Sequence, residues 1–226
     1  MPTSETETFQ DVAYRHIKEK ILQLKLKPGQ YITDSQIAQD LNVSRTPVRE
    51  AFYRLENEGL LVSAARRGWR VYSLSLTDVH QIFDIKIAVE GMIARQAAGC
   101  KDEALRAELT DAIRDMQAAV QANNSHDWLQ ADYKLHATLF RMVNNERAER
   151  IIMNLNDQWH RLRIGFAAIQ GRIERSTEEH VAFVNAILDH DGDLAELAMR
   201  DHMNRVREEL ERLLVHMILP FAEEGV

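Results

Sequence analysis

The stretch Val43-Ser44-Arg45-Thr46-Pro47-Val48-Arg49-Glu50-Ala51 decides how the first part of the chain is read. Ser44 has the short oxygen-bearing side chain of a helix N-cap, and Pro47 falls in the first turn, where a missing N–H removes no hydrogen bond. Val48, Ala51, Phe52 and Leu55 then recur at helical spacing, so a helix runs to about Asn57 with these residues inward and Gly59 just past its end. Working backward, Asn42-Val43 turns the chain, and a shorter helix covers about Asp34 to Leu41. A first helix, about Asp11 to Leu24, carries Val12, Ile17, Ile21, Leu22 and Leu24 on one face and stops at Lys27-Pro28-Gly29-Gln30. Working forward, Leu60 to Ser63 and Trp69 to Tyr72 read as two short strands around the turn Ala64-Ala65-Arg66-Arg67-Gly68. Three helices and a basic hairpin, the second and third helices joined tightly, have the layout of a winged helix-turn-helix.

In such a module the recognition helix enters the major groove and its first turns reach base edges. Arg45 and Arg49 are four residues apart, so they share a face opposite Val48 and Leu55, and each can make a bidentate contact to guanine. Ser44 and Thr46, beside the helix N-terminus, suit a phosphate. Arg66 and Arg67 can carry the hairpin into the minor groove, where Gly68 permits close backbone approach. The plain alternative is a solvated helix face in which Glu50 and Glu56 neutralise these arginines.

A net charge of −7 argues against nucleic acid only until the chain is divided. Residues 1–78 hold 11 Lys/Arg against 10 Asp/Glu, whereas residues 79–226 hold 17 against 25. Residues 44–70 carry six arginines and three acids, so the acidic excess lies elsewhere. The single cysteine, Cys100, excludes an intramolecular disulfide and a Cys-based zinc site. The polar start MPTSETETFQ lacks signal-peptide regions, and the apolar run Leu213 to Leu219, interrupted by His216, is far short of the roughly 20 residues that span a bilayer. A cytoplasmic protein with no membrane role is expected.

No proline occurs from residue 48 to residue 219, which favours helix throughout the second part. The expected helices cover about 78–98, 102–122, 126–143, 146–170 with a break near Gly165, 177–189 and 193–218. Ser75 or Thr77 caps the first, Ser176-Thr177-Glu178-Glu179 has capping-box spacing, and Asp191-Gly192-Asp193 turns the chain before the last. The expected architecture is mainly α: a winged helix-turn-helix over residues 8–75 and an all-helical antiparallel bundle over 76–220.

Asp132 and His136 are four residues apart on one expected helix, and His180 and His202 lie on two later ones. In a bundle these can converge into one Asp/His/His/His site for a divalent ion. Imidazole suits zinc, nickel, copper or iron, and the carboxylate admits manganese; zinc leads. Singly, each of these residues is more often a surface or satisfied core group. The other helical-part histidines, His80, His126, His160, His190 and His216, lack comparable pairing. Trp128, Trp159, Met92, Met142 and Met153 either line a pocket there or form plain core.

Two resemblances follow. Lys27-Pro-Gly-Gln-Tyr-Ile, Ile37-Ala-Gln-Asp-Leu-Asn-Val-Ser-Arg-Thr-Pro-Val-Arg-Glu-Ala and Leu55-Glu-Asn-Glu-Gly-Leu-Leu-Val resemble the DNA-binding domain of GntR-family bacterial transcription regulators. The resemblance implies that Ser44, Arg45, Thr46 and Arg49 contact the operator, that Gly68 marks the wing tip, and that Ser35 touches the DNA backbone. It also implies a homodimer on a short inverted repeat of double-stranded DNA. Asp132-Tyr-Lys-Leu-His136-Ala-Thr-Leu, Glu179-His180-Val-Ala-Phe-Val and Gly192-Asp193-Leu-Ala-Glu-Leu-Ala-Met-Arg-Asp-His202 resemble the FCD ligand domain of the FadR subfamily. This implies Asp132, His136, His180 and His202 as metal ligands and a small carboxylate effector. Where that domain usually has an effector-binding arginine, this chain has Lys86, a point charge instead of a planar fork, with Arg161 or Arg163 as a substitute.

The expected function is a DNA-binding transcription regulator, not an enzyme, whose operator affinity is controlled by an organic acid at the metal. Repression relieved by the effector is the commoner arrangement. A metal sensor, with the ion as the signal, and a metal-dependent hydrolase fused to a DNA-binding module are the alternatives. Against the hydrolase, the sequence has no HExxH motif.

Overall fold

The computed structural model describes residues 8–167 and 171–222 and divides into two compact units, which are treated separately. The first ends at Leu74 and takes in residues 156–161; the second comprises Ser75–Leu155 and the chain from Leu162 onward.

The first unit contains α1 (Phe9–Leu22), β1 (Tyr31–Ile32), α2 (Asp34–Leu41), α3 (Arg45–Asn57), β2 (Leu61–Ala64) and β3 (Gly68–Val71). Thr33 and Gln36 form a capping box that starts α2, and Asn42, left-handed at φ 53°, ends it and sets the turn into α3. Ser44 occupies the N-cap position of α3, but its hydroxyl makes no capping hydrogen bond. Ala13, Ile17 and Ile21 of α1 pack with Val48, Ala51, Phe52 and Leu55 of α3, and Trp69 and Val71 of β3 join the same core. Each large apolar side chain so buried contributes about 1.5–3 kcal/mol. The hairpin forms as expected, with Ser63 opposite Trp69. A third strand, β1, pairs with β3 on its other edge, Tyr31 opposite Arg70, giving the order β1-β3-β2. Two residues are too few to show an alternating pattern, so β1 was not expected.

The second unit is all helical: α4 (Leu76–Ala97), α5 (Glu103–Gln121), α6 (Ser125–Val143), α7 (Glu146–Ala167), α8 (Arg172–Leu188) and α9 (Gly192–Ala222). Ser75 caps α4 in a reciprocal box with Asp78, and Asp102 and Asn124 cap α5 and α6. Helix α4 packs on α9 and α6, α5 on α6 and α8, and α8 on α9. Three expectations are corrected. Helix α7 passes through Gly165 without a break, and α9 continues past residue 218 to Ala222. The third concerns Ser176-Thr177-Glu178-Glu179, which caps nothing: α8 starts five residues earlier, after Gly171 in left-handed conformation, so this stretch lies inside the helix. Ser176 and Thr177 are buried, and Thr177 Oγ1 donates to the Ile173 carbonyl while accepting from Trp128 Nε1.

Candidate nucleic-acid interface and candidate metal centre

Ser35, Ser44, Arg45, Thr46 and Arg49 are all exposed, as are Arg66, Arg67 and Gly68 at the hairpin tip. Arg66 turns the chain at φ 65°, and Gly68 follows at φ 85°. A Cβ on Gly68 would come within 2.6 Å of the Ile32 carbonyl oxygen, so the wing needs glycine there for both its dihedral and its space. Arg67 lies over the Tyr31 ring at 5.4 Å. Glu50 and Glu56 do not neutralise the recognition arginines. Arg45 and Arg49 instead meet Asp34 at the start of α2, and Glu56 accepts from the Ser63 backbone N–H. Asp34 carried no signal by itself; its partners are 11 and 15 residues away.

In the second unit, His136 on α6, His180 on α8 and His202 on α9 bring one ring nitrogen each within 4.8 Å of one another. His180 and His202 are buried and His136 is partly so. Each ring is held from its Nδ1 side: His180 lies 2.6 Å from the Ser176 carbonyl, His136 3.0 Å from Glu90 Oε2, and His202 2.7 Å from Glu179 Oε2. A carbonyl or carboxylate oxygen can only accept, so each Nδ1 carries a proton, and a neutral ring held this way keeps its lone pair on Nε2. Burial first, and the neighbouring imidazoles second, hold His202 well below its ordinary range and push His180 down to about 3, so both are neutral.

The Nε2 atoms of His136 and His180 are 3.3 Å apart. Asp132 Oδ1 lies 2.9 Å from His180 Nε2 and 3.7 Å from His136 Nε2. These electron-rich atoms face one another with no proton assigned between them. The 3.3 Å separation fits two imidazoles bound to one ion at about 2.0–2.1 Å each. The donor set therefore fits a divalent cation. Oriented Nδ1–H groups with acceptors behind them are also the usual outer support of metal-ligating histidines.

The charges around the cluster are paired. Lys86, buried on α4, donates to Glu90 Oε1 at 2.5 Å. Burial alone would raise the Glu90 carboxyl, but Lys86 and His136 hold it well below the usual carboxylate range. Burial draws the Lys86 ammonium down although Glu90 opposes it. Arg163 on α7 donates from Nη2 to Asp132 Oδ2, and burial pushes its guanidinium down to about 10. Arg163 thus stands at the site and not on a solvated face; the side chain of Arg161 lies outside the described residues. Trp128 borders the cluster, its ring centroid 5.9 Å from that of His180, whereas Met153 is exposed. His80 faces Glu211, and His190 Nδ1 faces the Ala98 carbonyl; the side chain of His216 lies outside the described residues. Sequence reasoning missed the supporting roles of Glu90, Glu179 and the Ser176 carbonyl.

Both units match family profiles. Residues 9–71 match "Bacterial regulatory proteins, gntR family", and residues 81–205 match "FCD domain". The chain belongs to the GntR family of bacterial regulatory proteins and carries an FCD domain. It is similar to the HTH-type transcriptional repressor RspR of Escherichia coli strain K12, 26% identical over 97% of this chain and 96% of that one. A regulator from the TAR-I ttuE-ttuC' intergenic region of Agrobacterium vitis is 35% identical over 56% of this chain and 76% of that one. Among solved structures, E. coli McbR/YncC superposes with a TM-score of 0.72 at 19% identity, covering 91% of this chain and 98% of that one. The protein is a DNA-binding transcription regulator. No described helix is long and apolar enough to cross a membrane.

Proposed function

We propose that the chain acts as a homodimeric repressor on a short inverted repeat, and that a small carboxylate bound at a metal ion held by His136, His180, His202 and Asp132 sets its operator affinity. The observation that carries this reading is the meeting of the three imidazoles, each tied through Nδ1 and each bringing a ring nitrogen within 4.8 Å of the others. A divalent ion there, zinc first and nickel, manganese or iron next, supplies a Lewis-acidic positive centre for an anion.

The chain's own residues then divide the work. Asp132 is shared between the cluster and Arg163, so an incoming carboxylate competes for the same guanidinium. Arg163 offers the planar fork that Lys86 lacks, and Lys86, already paired with Glu90, holds that carboxylate for His136. Effector binding changes DNA affinity by as much as it prefers one arrangement of the protein over the other. Several named relatives are repressors, which supports the sign of regulation.

Native mass spectrometry of protein purified without added metal reads dimer, ion and retained acid together. Titration of operator binding with zinc alone, then with zinc plus candidate acids, completes the test. A dimer with one ion per chain and a response only to metal plus acid is the expected result. A response to zinc alone makes the ion the signal, and full metal occupancy in a His136→Ala/His202→Ala protein overturns the site.

A further inference from the structure

The two arginines of α3 meet on one carboxylate. Arg45 Nη2 donates to both oxygens of Asp34, at 2.8 and 3.0 Å, and Arg49 Nε donates to Oδ2 at 2.5 Å. Asp34 is the first residue of α2, where the helix N-terminus favours a negative charge. Its side chain is 13% exposed, against 57% and 55% for Arg45 and Arg49, so a sheltered anion holds one edge of each of two outward guanidinium groups. Desolvation would raise its carboxyl, but the two arginines hold it below the ordinary carboxylate range, so it is charged at neutral pH. Each arginine gives Asp34 only one of its three nitrogens, which leaves the others to reach a base edge.

We propose that Asp34 is a positioning and specificity-determining residue for DNA reading, acting through Arg45 and Arg49; this rests on the reading that those arginines contact bases. Two physical effects point the same way. A free arginine side chain has many rotamers, and one already held near its working position loses less freedom on binding. A free guanidinium also pairs with any phosphate, and phosphates are the same at every sequence, so release of the arginines strengthens binding everywhere. Asp34 keeps one edge of each guanidinium occupied and sets its own charge against a phosphate at that edge. It therefore lowers non-cognate affinity more than cognate affinity.

The test selects duplexes from a random-sequence library with the full wild-type chain, Asp34→Asn and Asp34→Ala. The duplex preferred by the wild type and a scrambled duplex of equal length are then titrated over a salt series. In the variants the scrambled duplex is expected to bind several-fold more tightly, and its salt slope to steepen by about one or two phosphate contacts. The ratio of the two affinities falls by on the order of tenfold, and the selected motif loses preference at the bases the arginines read. Asp34→Asn keeps the size of the side chain and carries the test if Asp34→Ala does not fold; Asp34→Glu is expected to restore part of the ratio. An unchanged ratio and motif in Asp34→Asn, or an equal loss of affinity for both duplexes, overturns the proposal. Arg45→Ala and Arg49→Ala separate the two ideas. If they abolish the preference while the Asp34 variants keep it, base reading stands and positioning by Asp34 falls; if they too keep it, both fall.

Discussion

Glu90 on α4 meets His136 on α6 at 3.0 Å from Nδ1, and the same carboxylate holds Lys86 at 2.5 Å through its other oxygen. One buried acid thus orients the ring proposed to hold the metal and neutralises a buried amine. Glu90→Gln is expected to weaken zinc binding by about 10–100-fold, measured by competition with a chromophoric chelator. Unchanged affinity would make the contact structural only.

The Lys86–Glu90 pair has a second consequence, for stability. Lys86→Met leaves the Glu90 carboxylate buried without its ammonium, and the expected loss is about 3–5 kcal/mol in chemical denaturation. Removing both charges, as in Lys86→Met/Glu90→Gln, is expected to recover most of that loss, because an apolar and amide pair leaves no uncompensated charge.

Stability of the metal-free protein is expected to fall in acid. His180 is neutral when folded, pushed down to about 3, while its ordinary value is 6.5, and His202 moves in the same direction. Between these values the unfolded chain holds more protons, so stability is fully present above about pH 6.5 and is lost progressively toward pH 3. From pH 6.5 to pH 5 His180 alone accounts for about 2 kcal/mol. Denaturation midpoints across this range check the sign, and bound metal is expected to be released over the same interval as protons compete for the ring nitrogens.

Gly68→Ala tests the wing. At φ 85° an L-residue is strained, and its Cβ would press on the Ile32 carbonyl at 2.6 Å. Strain alone accounts for about 1–2 kcal/mol, and the clash adds to it by pushing β3 from β1. Thermal unfolding is expected to show the loss, and affinity for a selected duplex is expected to fall as the tip carrying Arg66 and Arg67 loses its anchor.

Asn42→Gly and Asn42→Ala separate conformation from chemistry in the turn between α2 and α3. Asn42 is left-handed at φ 53°. Glycine tolerates that conformation and is expected to be near neutral, whereas alanine is expected to lower stability by about 1 kcal/mol. Equal losses for the two would show that the side chain, and not the backbone angle, holds the turn.

Much of this architecture is local and therefore readable. The inward Val48, Ala51, Phe52 and Leu55 of α3, the turn at Asn42 and the hairpin before Gly68 follow from periodicity and turn chemistry within a few residues. So does the shared face of Asp132 and His136, since residues four apart on a helix point the same way. The same local rule misread Ser176 to Glu179, because capping-box spacing also occurs inside a helix. There Gly171 had already begun α8, and Trp128 and His180 draw on Thr177 and the Ser176 carbonyl.

By itself, then, the sequence determined the helix-turn-helix, the wing, the helical second part and the residue types able to bind DNA or a metal. Only the tertiary structure decided which polar groups meet: Asp34 with Arg45 and Arg49, Glu90 with His136, Glu179 with His202, and Arg163 with Asp132. Helix propensity and periodicity act over a turn or two, whereas these partners stand 11 to 46 residues apart and meet only when helices pack. For Glu90 and Asp132 burial then makes the pairing compulsory, since a charge withdrawn from water without a partner is too costly to keep.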